Sequence, residues 1–262
     1  MSKRTDSNLY TMLFAIGMVL VVGTILAFLA SSLKPTIDEN KRIEKQQNIL
    51  YAMGVNENDE SSAIFVSKDK VGEEFFKYIT EQLVLVVENG KVVQQQNREE
   101  YMAENNNQEP YLIDVKKQQT AAKEGKKRKL PLFVGEKDGK TFYIAPIRGK
   151  GLWDAVWGYV GMDANMVVQG AYFDHKGETA GLGANIKLRF FMDDFIGEHL
   201  KKEGDFKGIT ISKSNNDPKN IDKTDNEVDA IAGATITGDG VSAMIKSELR
   251  KYVSFFNTLK TN

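Results

Sequence analysis

The sequence predicts an α+β protein, with one N-terminal membrane-spanning helix followed by a domain built on a mainly antiparallel sheet. Three features predict it. An uncharged apolar run, LYTMLFAIGMVLVVGTILAFLASSL, fills residues 9–33. Strand-turn-strand patterns surround Asn89-Gly90 and Asp138-Gly139. An amphipathic helix closes the chain.

The apolar run follows a short tail, residues 1–8. About 20 apolar residues in a helix cross a bilayer core. A cleaved signal peptide has a shorter apolar core, roughly 7–15 residues. Ala30-Ser31-Ser32 only weakly imitates a cleavage site, so the run reads as a retained anchor. Lys3 and Arg4 precede it, and Lys34, Lys41, Arg42 and Lys45 follow. That balance alone puts the large domain in the cytoplasm, but long domains translocate largely regardless of charge. Sidedness therefore stays open at this level.

Residues 34–53 carry spaced apolar positions (Ile37, Ile43, Ile49, Leu50, Met53) and predict a juxtamembrane helix ending near Gly54. Residues 73–83 have helical spacing, and 83–93 read as strand, Asn-Gly turn, strand. The Gln94–Gln96, Asn105–Asn107 and Lys126–Lys129 tracts make 94–129 a solvated excursion, or a docking patch for a membrane or partner. Together 34–129 form a membrane-proximal α+β region and 130–262 a second domain. In the latter, strands are expected on both sides of Asp138-Gly139, over 151–163 and over 166–175. Residues 186–203 become helical toward their end, 206–213 form a strand, 214–227 a polar loop and 239–259 the last helix.

Composition excludes several classes. With 35 basic and 36 acidic residues, no basic excess suggests nucleic acid. The absence of cysteine removes disulfides, thiolate nucleophiles and iron–sulfur ligands. Two histidines, His175 and His199, are too few for a His-rich metal site. No catalytic side chain or metal ligand set stands out.

Two glycine-rich segments remain. HKGETAGLG (175–183) is either a plain connecting loop or a surface that a flat ring approaches closely, with Thr179 and backbone amides at the ring edge. DAIAGATITGDG (229–240) precedes the last helix, with Asp239 the expected N-cap. It is either a capping turn or an anion site, because a helix start offers unpaired amides and a positive dipole end.

DAIAGAT resembles the flavinylation motif Asp-Gly/Ala-x-Ser/Thr-Gly-Ala-Thr, and GETAGLG resembles the Glu-Thr-Pro-Gly-Leu-Gly segment of the same FMN-binding domains. GKGLWDAVWGYV (149–160) resembles the Gly-Leu-Trp strand that precedes it. In order, spacing, length and single span, the chain resembles the C subunits of sodium-translocating NADH:quinone reductases. Ala232 and Ala180 depart from the pattern, standing where the family has Ser or Thr and Pro. The first removes a hydroxyl; the second loosens a turn.

The resemblance implies FMN esterified through its phosphate to Thr235, within the Gly233-Ala234-Thr235-Ile236-Thr237 segment. It implies Trp153 and Leu182 against the ring, with ordinary strand core the other reading of Trp153, Thr179 and Gly181 at the ring edges, and Gly183 among the cofactor-binding residues. Glu178 orients the loop, sits near the ring or plays a surface role, and Lys187 and His175 offset phosphate charge. Asp229 serves recognition by a flavin transferase, while Trp157 and Phe190-Phe191 belong to the core. The implied protein is an electron relay in the bacterial inner membrane, its domain periplasmic, with NADH, quinone and ion chemistry in other membrane subunits. The G subunit of the homologous Rnf complex and a non-redox anchored binding or assembly protein are the alternatives.

Overall fold

A computed structural model describes residues 7–59, 62–213, 217 and 219–259. Residues 1–6 of the expected tail, and 214–216 and 218 of the expected polar loop, lie outside them. The chain forms two compact units, residues 1–42 and 43–262.

The first unit holds most of α1 (Asn8–Ala52), which merges the expected span and juxtamembrane helix into one. Pro35 is accommodated inside it. The 9–33 stretch exposes its apolar side chains, and it is long and apolar enough to cross a membrane.

The second unit begins with the last turns of α1, whose Ile49, Leu50 and Ala52 are buried. Next come α2 (Val71–Tyr78), β1 (Ile79–Glu88), β2 (Lys91–Gln96), α3 (Arg98–Glu104) and α4 (Val115–Lys123). The expected 73–83 helix thus stops at Tyr78, because Ile79–Val87 enter the sheet against β3 (Arg128–Lys137). The 94–129 tract is ordered: Asn97 and Glu100 form a reciprocal capping box on α3, and Asp114 caps α4. Its basic end is not uniformly solvated either. Lys126 and Lys127 pair with Glu124 and Glu88, while Arg128 is buried against Glu248.

The sheet continues through β4 (Lys140–Lys150), β5 (Ala155–Met162) and β6 (Val168–His175). Its six strands run β2-β1-β3-β4-β5-β6, all antiparallel, as the hairpin signals predict. Then come α5 (Arg189–Asp193), the short ribbon β7 (Lys201–Lys202) and β8 (Asp205–Phe206), and the parallel pair β9 (Thr210–Ser212) and β10 (Glu227–Asp229). The 186–203 segment is therefore helical at its start rather than its end. Phe191 drives this by packing with Phe173 and Phe195, whereas Phe190 is exposed and leaves the expected core pair.

The chain ends in α6 (Thr235–Leu249), a 3₁₀ turn (Arg250–Tyr252) and α7 (Val253–Leu259). Along unbulged β4, residues 144 and 149 point to opposite faces. Gly149 lies beneath Met244 of α6, and Gly161, opposite Ile144, lies beneath the Ala52 carbonyl. So α6 covers one face and the last turns of α1 cover the other.

Candidate functional site

Residues 151–154 link β4 to β5 as a loop, not the expected strand. Freed from the sheet, Trp153 is 67% exposed and Leu152 43%. A strand-core role for Trp153 is thereby removed. Trp157 is half-buried on β5.

The 175–183 segment follows β6. Its center is Glu178, a buried carboxylate. Oε1 accepts the Trp153 amide at 3.0 Å, and Oε2 accepts the Thr237 hydroxyl at 2.5 Å. Burial pushes this carboxyl up, but hydrogen bonds from Thr237 and the amides of Trp153, Asp154 and Leu152 outweigh it and hold it below its ordinary range. The geometry favors the orienting role for Glu178, since it ties three chain segments together. Two glycines make room for it. A Cβ on Gly151 would stand 2.5 Å from Oε1, and one on Gly183 would stand 2.6 Å from Oε2 and 2.5 Å from Thr237 Oγ1.

His175 lies behind this carboxylate, its Nδ1 accepting the Glu178 amide at 3.1 Å. That bond puts its ring on the loop rather than toward a phosphate. Thr179 Oγ1 accepts the Trp153 indole N–H at 3.2 Å, and the Thr179 carbonyl accepts the amides of Leu182 and Ala184. Gly181 turns at φ +77° in open space, and Leu182 is 40% exposed.

Leu182 reaches the second segment. Gly233 adopts φ +74°, and a Cβ there would stand 2.8 Å from Leu182 Cδ2. The left-handed glycine ends the approach and α6 starts at Thr235, with Ala234 at the cap position and no side-chain cap. The expected N-cap, Asp239, instead lies in the second turn and pairs with Lys213 at 3.1 Å. Gly238 explains the earlier start: it packs against Ile211, and its amide already bonds the Ala234 carbonyl. Among the described residues, the amides of Thr235, Ile236 and Thr237 meet no acceptor. Thr235 is exposed, Ile236 is 57% exposed, and Thr237 is buried on Glu178.

The structure thus joins Trp153, Glu178, Thr179, Leu182, Gly183, Gly233 and Thr237 through direct contacts, with Ala234 and Thr235 at the helix start. Lys187 is exposed at the end of a 3₁₀ turn (Gly183–Lys187), and no hydrogen bond or ion pair ties it to Thr235 among the described residues. Asp229 ends β10, half-buried; burial, reinforced by Asp217, pushes its carboxyl up. Gly151, Leu152 and Ile236 escape sequence reasoning. Leu152 and Ile236 look like ordinary core residues there, and the only hint at Gly151 is its place ahead of Leu-Trp.

The profile of the FMN-binding domain matches residues 151–250, the span from the Trp153 loop to the end of α6. A curated relative, the C subunit of the Na(+)-translocating NADH-quinone reductase of Pseudomonas aeruginosa, is 30% identical over 94% of this chain and 93% of its own length. The chain belongs to this family of C subunits. The counterpart from Neisseria meningitidis serogroup A is 26% identical and spans 100% of this chain and 98% of its own. The crystal structure of the Parabacteroides distasonis C subunit superposes with a TM-score of 0.65 at 31% identity, covering 86% of this chain and 96% of that one. The Shewanella oneidensis structure, at 23% identity and TM-score 0.60, shares the fold. The antiparallel sheet and terminal helices seen here are therefore those of the family.

Proposed function

We propose that this protein is a membrane-anchored electron carrier holding FMN through a phosphodiester to Thr235. The supporting observation is one arrangement. An exposed threonine hydroxyl stands at an uncapped helix start with three unbonded amides, beside exposed Trp153, Leu182 and Ile236. Such a terminus suits a phosphate, worth roughly 0.3–1 kcal/mol through the dipole alone. The uncovered apolar side chains fit a flat ring, and small Gly233 and Ala234 leave the hydroxyl accessible.

FMN supplies the electron-carrying chemistry, and the protein supplies binding, orientation and exclusion of water. Glu178 fixes the Trp153 loop and the first turn of α6 relative to each other. The Thr179 hydroxyl holds the indole edge, so Trp153 keeps one orientation. Thr237, spent on Glu178, is unavailable as a competing acceptor for a phosphoryl group. Asp229 and the Ala230–Gly233 stretch serve a flavin transferase as its recognition segment.

The 9–33 span anchors the chain in the bacterial inner membrane, with residues 43–262 on the periplasmic side. Covalent attachment fits that compartment, where a lost cofactor is not replaced. The partners are the other subunits of a sodium-translocating NADH:quinone reductase, which carry out NADH oxidation, quinone reduction and ion transport.

The test is spectroscopic. Purified after co-expression with a flavin transferase, the chain is expected to show a flavin absorption band that bleaches on chemical reduction, with no turnover of NADH or quinone alone. NADH oxidation by the isolated chain would make it a free-standing reductase. Absence of the band would make it a binding or assembly protein.

A further inference from the structure

A second concave surface lies just beyond the Trp153 loop. A cleft of about 600 Å³ runs between the C-terminal end of α4, the end of β4 and the flank of α6 that meets the sheet. Its cationic lining is Lys123, Arg128, Arg148, Lys150 and Lys251, against one carboxylate, Glu248. The whole chain carries a net charge of −1, so this concentration of positive charge is local.

The five cations divide into two groups. Arg128 and Lys251 both pair with the buried Glu248, which offsets one of their two charges within the protein. Lys123, Arg148 and Lys150 form no ion pair within 4 Å among the described residues, and Arg148 acts on a carboxylate, that of Asp154, only through space. Lys123 and Lys150 are exposed and Arg148 is half-buried. The unpaired charges thus come from two elements, α4 and β4, while the exposed Ala122 and Ala243 add apolar surface between them. A small anion is gripped by charges converging on one buried point; here the buried guanidinium is already taken. Spread cations with apolar ground between them fit a peptide surface carrying several carboxylates.

Position narrows the partner further. Lys150 leads directly into Gly151 and the Trp153 loop, and its carbonyl lies so close to Gly240 that a Cβ there would collide with it. Gly240 is in the second turn of α6, the helix that begins at Thr235. A protein seated on the cleft is therefore held at the edge of the flavin site.

We propose that this cleft docks an acidic segment of the neighboring subunit that exchanges electrons with this chain. Charges of this kind act mainly on the rate of productive encounter and on its salt dependence. The proposal rests on the electron-carrier reading above.

The test uses the assembled, detergent-solubilized complex with the full-length chain. A cleft variant combines Lys123→Glu, Arg148→Glu and Lys150→Glu. A control makes the same charge change at exposed positions outside the cleft, Lys91→Glu, Lys140→Glu and Lys246→Glu. After NADH addition, the reduction rate of this chain's flavin is followed as potassium chloride rises from about 50 to about 500 mM at fixed sodium. The cleft variant is expected to be about tenfold slower at low salt and to lose its salt dependence, with the control matching wild type. A cleft variant with the wild-type rate and salt profile overturns the proposal. So does a wild-type rate in a cleft variant that has lost binding of inorganic pyrophosphate or of anionic phospholipid vesicles. Flavin absorbance of the same samples separates the failures: flavin-free wild type removes the carrier reading, whereas a flavin-loaded cleft variant at full rate removes only the docking site.

Discussion

Glu178 is the residue on which the site's geometry turns. Its two oxygens hold the Trp153 loop and the start of α6, and its charge strengthens both bonds. Glu178→Gln keeps the shape but weakens these bonds, and a loss of about 1–3 kcal/mol is expected. Thermal unfolding of the full chain in detergent measures it. Because the folded carboxyl lies below its ordinary range, its contribution is complete above the unfolded value of about 4.5 and disappears as pH falls through the folded value. The wild type should therefore lose this increment below about pH 4.5, and Glu178→Gln should show no such step.

Glu198 behaves oppositely. It is fully buried, its oxygens lack hydrogen bonds of good geometry, and its nearest cation, Lys223 Nζ, is 3.5 Å away. Burial pushes its carboxyl up to about 7, with Lys223 and Asn220 pulling the other way and Asp225 adding to the rise. A raised folded value means the native state binds the proton more tightly, so stability falls as pH rises from about 4.5 to 7. Glu198→Gln should raise the melting temperature by roughly 2–10 °C at pH 8 and by less at pH 5. An unchanged midpoint at pH 8 would show that Lys223 fully compensates the buried charge.

At the scale of elements, glycines set how closely helices sit on the sheet. Gly161 and Gly170 admit the Ala52 carbonyl, and a Cβ on Gly170 would stand 2.5 Å from it. Since both obstacles are backbone, α1 itself must move. Gly161→Ala is expected to cost about 1–3 kcal/mol, seen as a melting temperature lower by roughly 2–10 °C. Arg128 plays a matching part at the other end of the sheet. It ties the start of β3 to Glu248 of α6, with Nη1 3.2 Å from Oε1. Arg128→Ala leaves Glu248 buried with only Lys251, and a loss of about 3–5 kcal/mol is expected by the same measurement.

The whole molecule shows which signals a sequence carries and which it does not. The hairpins were legible because Asn89-Gly90 and Asp138-Gly139 supply turn geometry between alternating strands. The span was legible because 9–33 lacks charge. Elements decided by long-range pairing were not. Ile79 has helical spacing with Phe75 and Phe76, yet Gly135 on β3 draws it into the sheet. Asp239 has the chemistry of an N-cap, but Gly233 and Gly238 move the helix start upstream of it. Arg128 sits in a basic tract and only Glu248, 120 residues later, reveals it as buried. At the site, the glycine-rich segments were visible as units. That Thr237 and Trp153 converge on one carboxylate depends on the tertiary approach of β6 to α6, which no local pattern encodes.

The proposed attachment point of the flavin is Thr235. In-gel flavin fluorescence after denaturing electrophoresis tests it most directly, on wild type, Thr235→Ala and Thr237→Ala, each co-expressed with a flavin transferase shown to act on a control substrate. A fluorescent wild-type band is expected, with none for Thr235→Ala and a retained though weaker band for Thr237→Ala, whose hydroxyl serves only Glu178. A dark wild-type band, or a band that survives Thr235→Ala and disappears in Thr237→Ala, would contradict it.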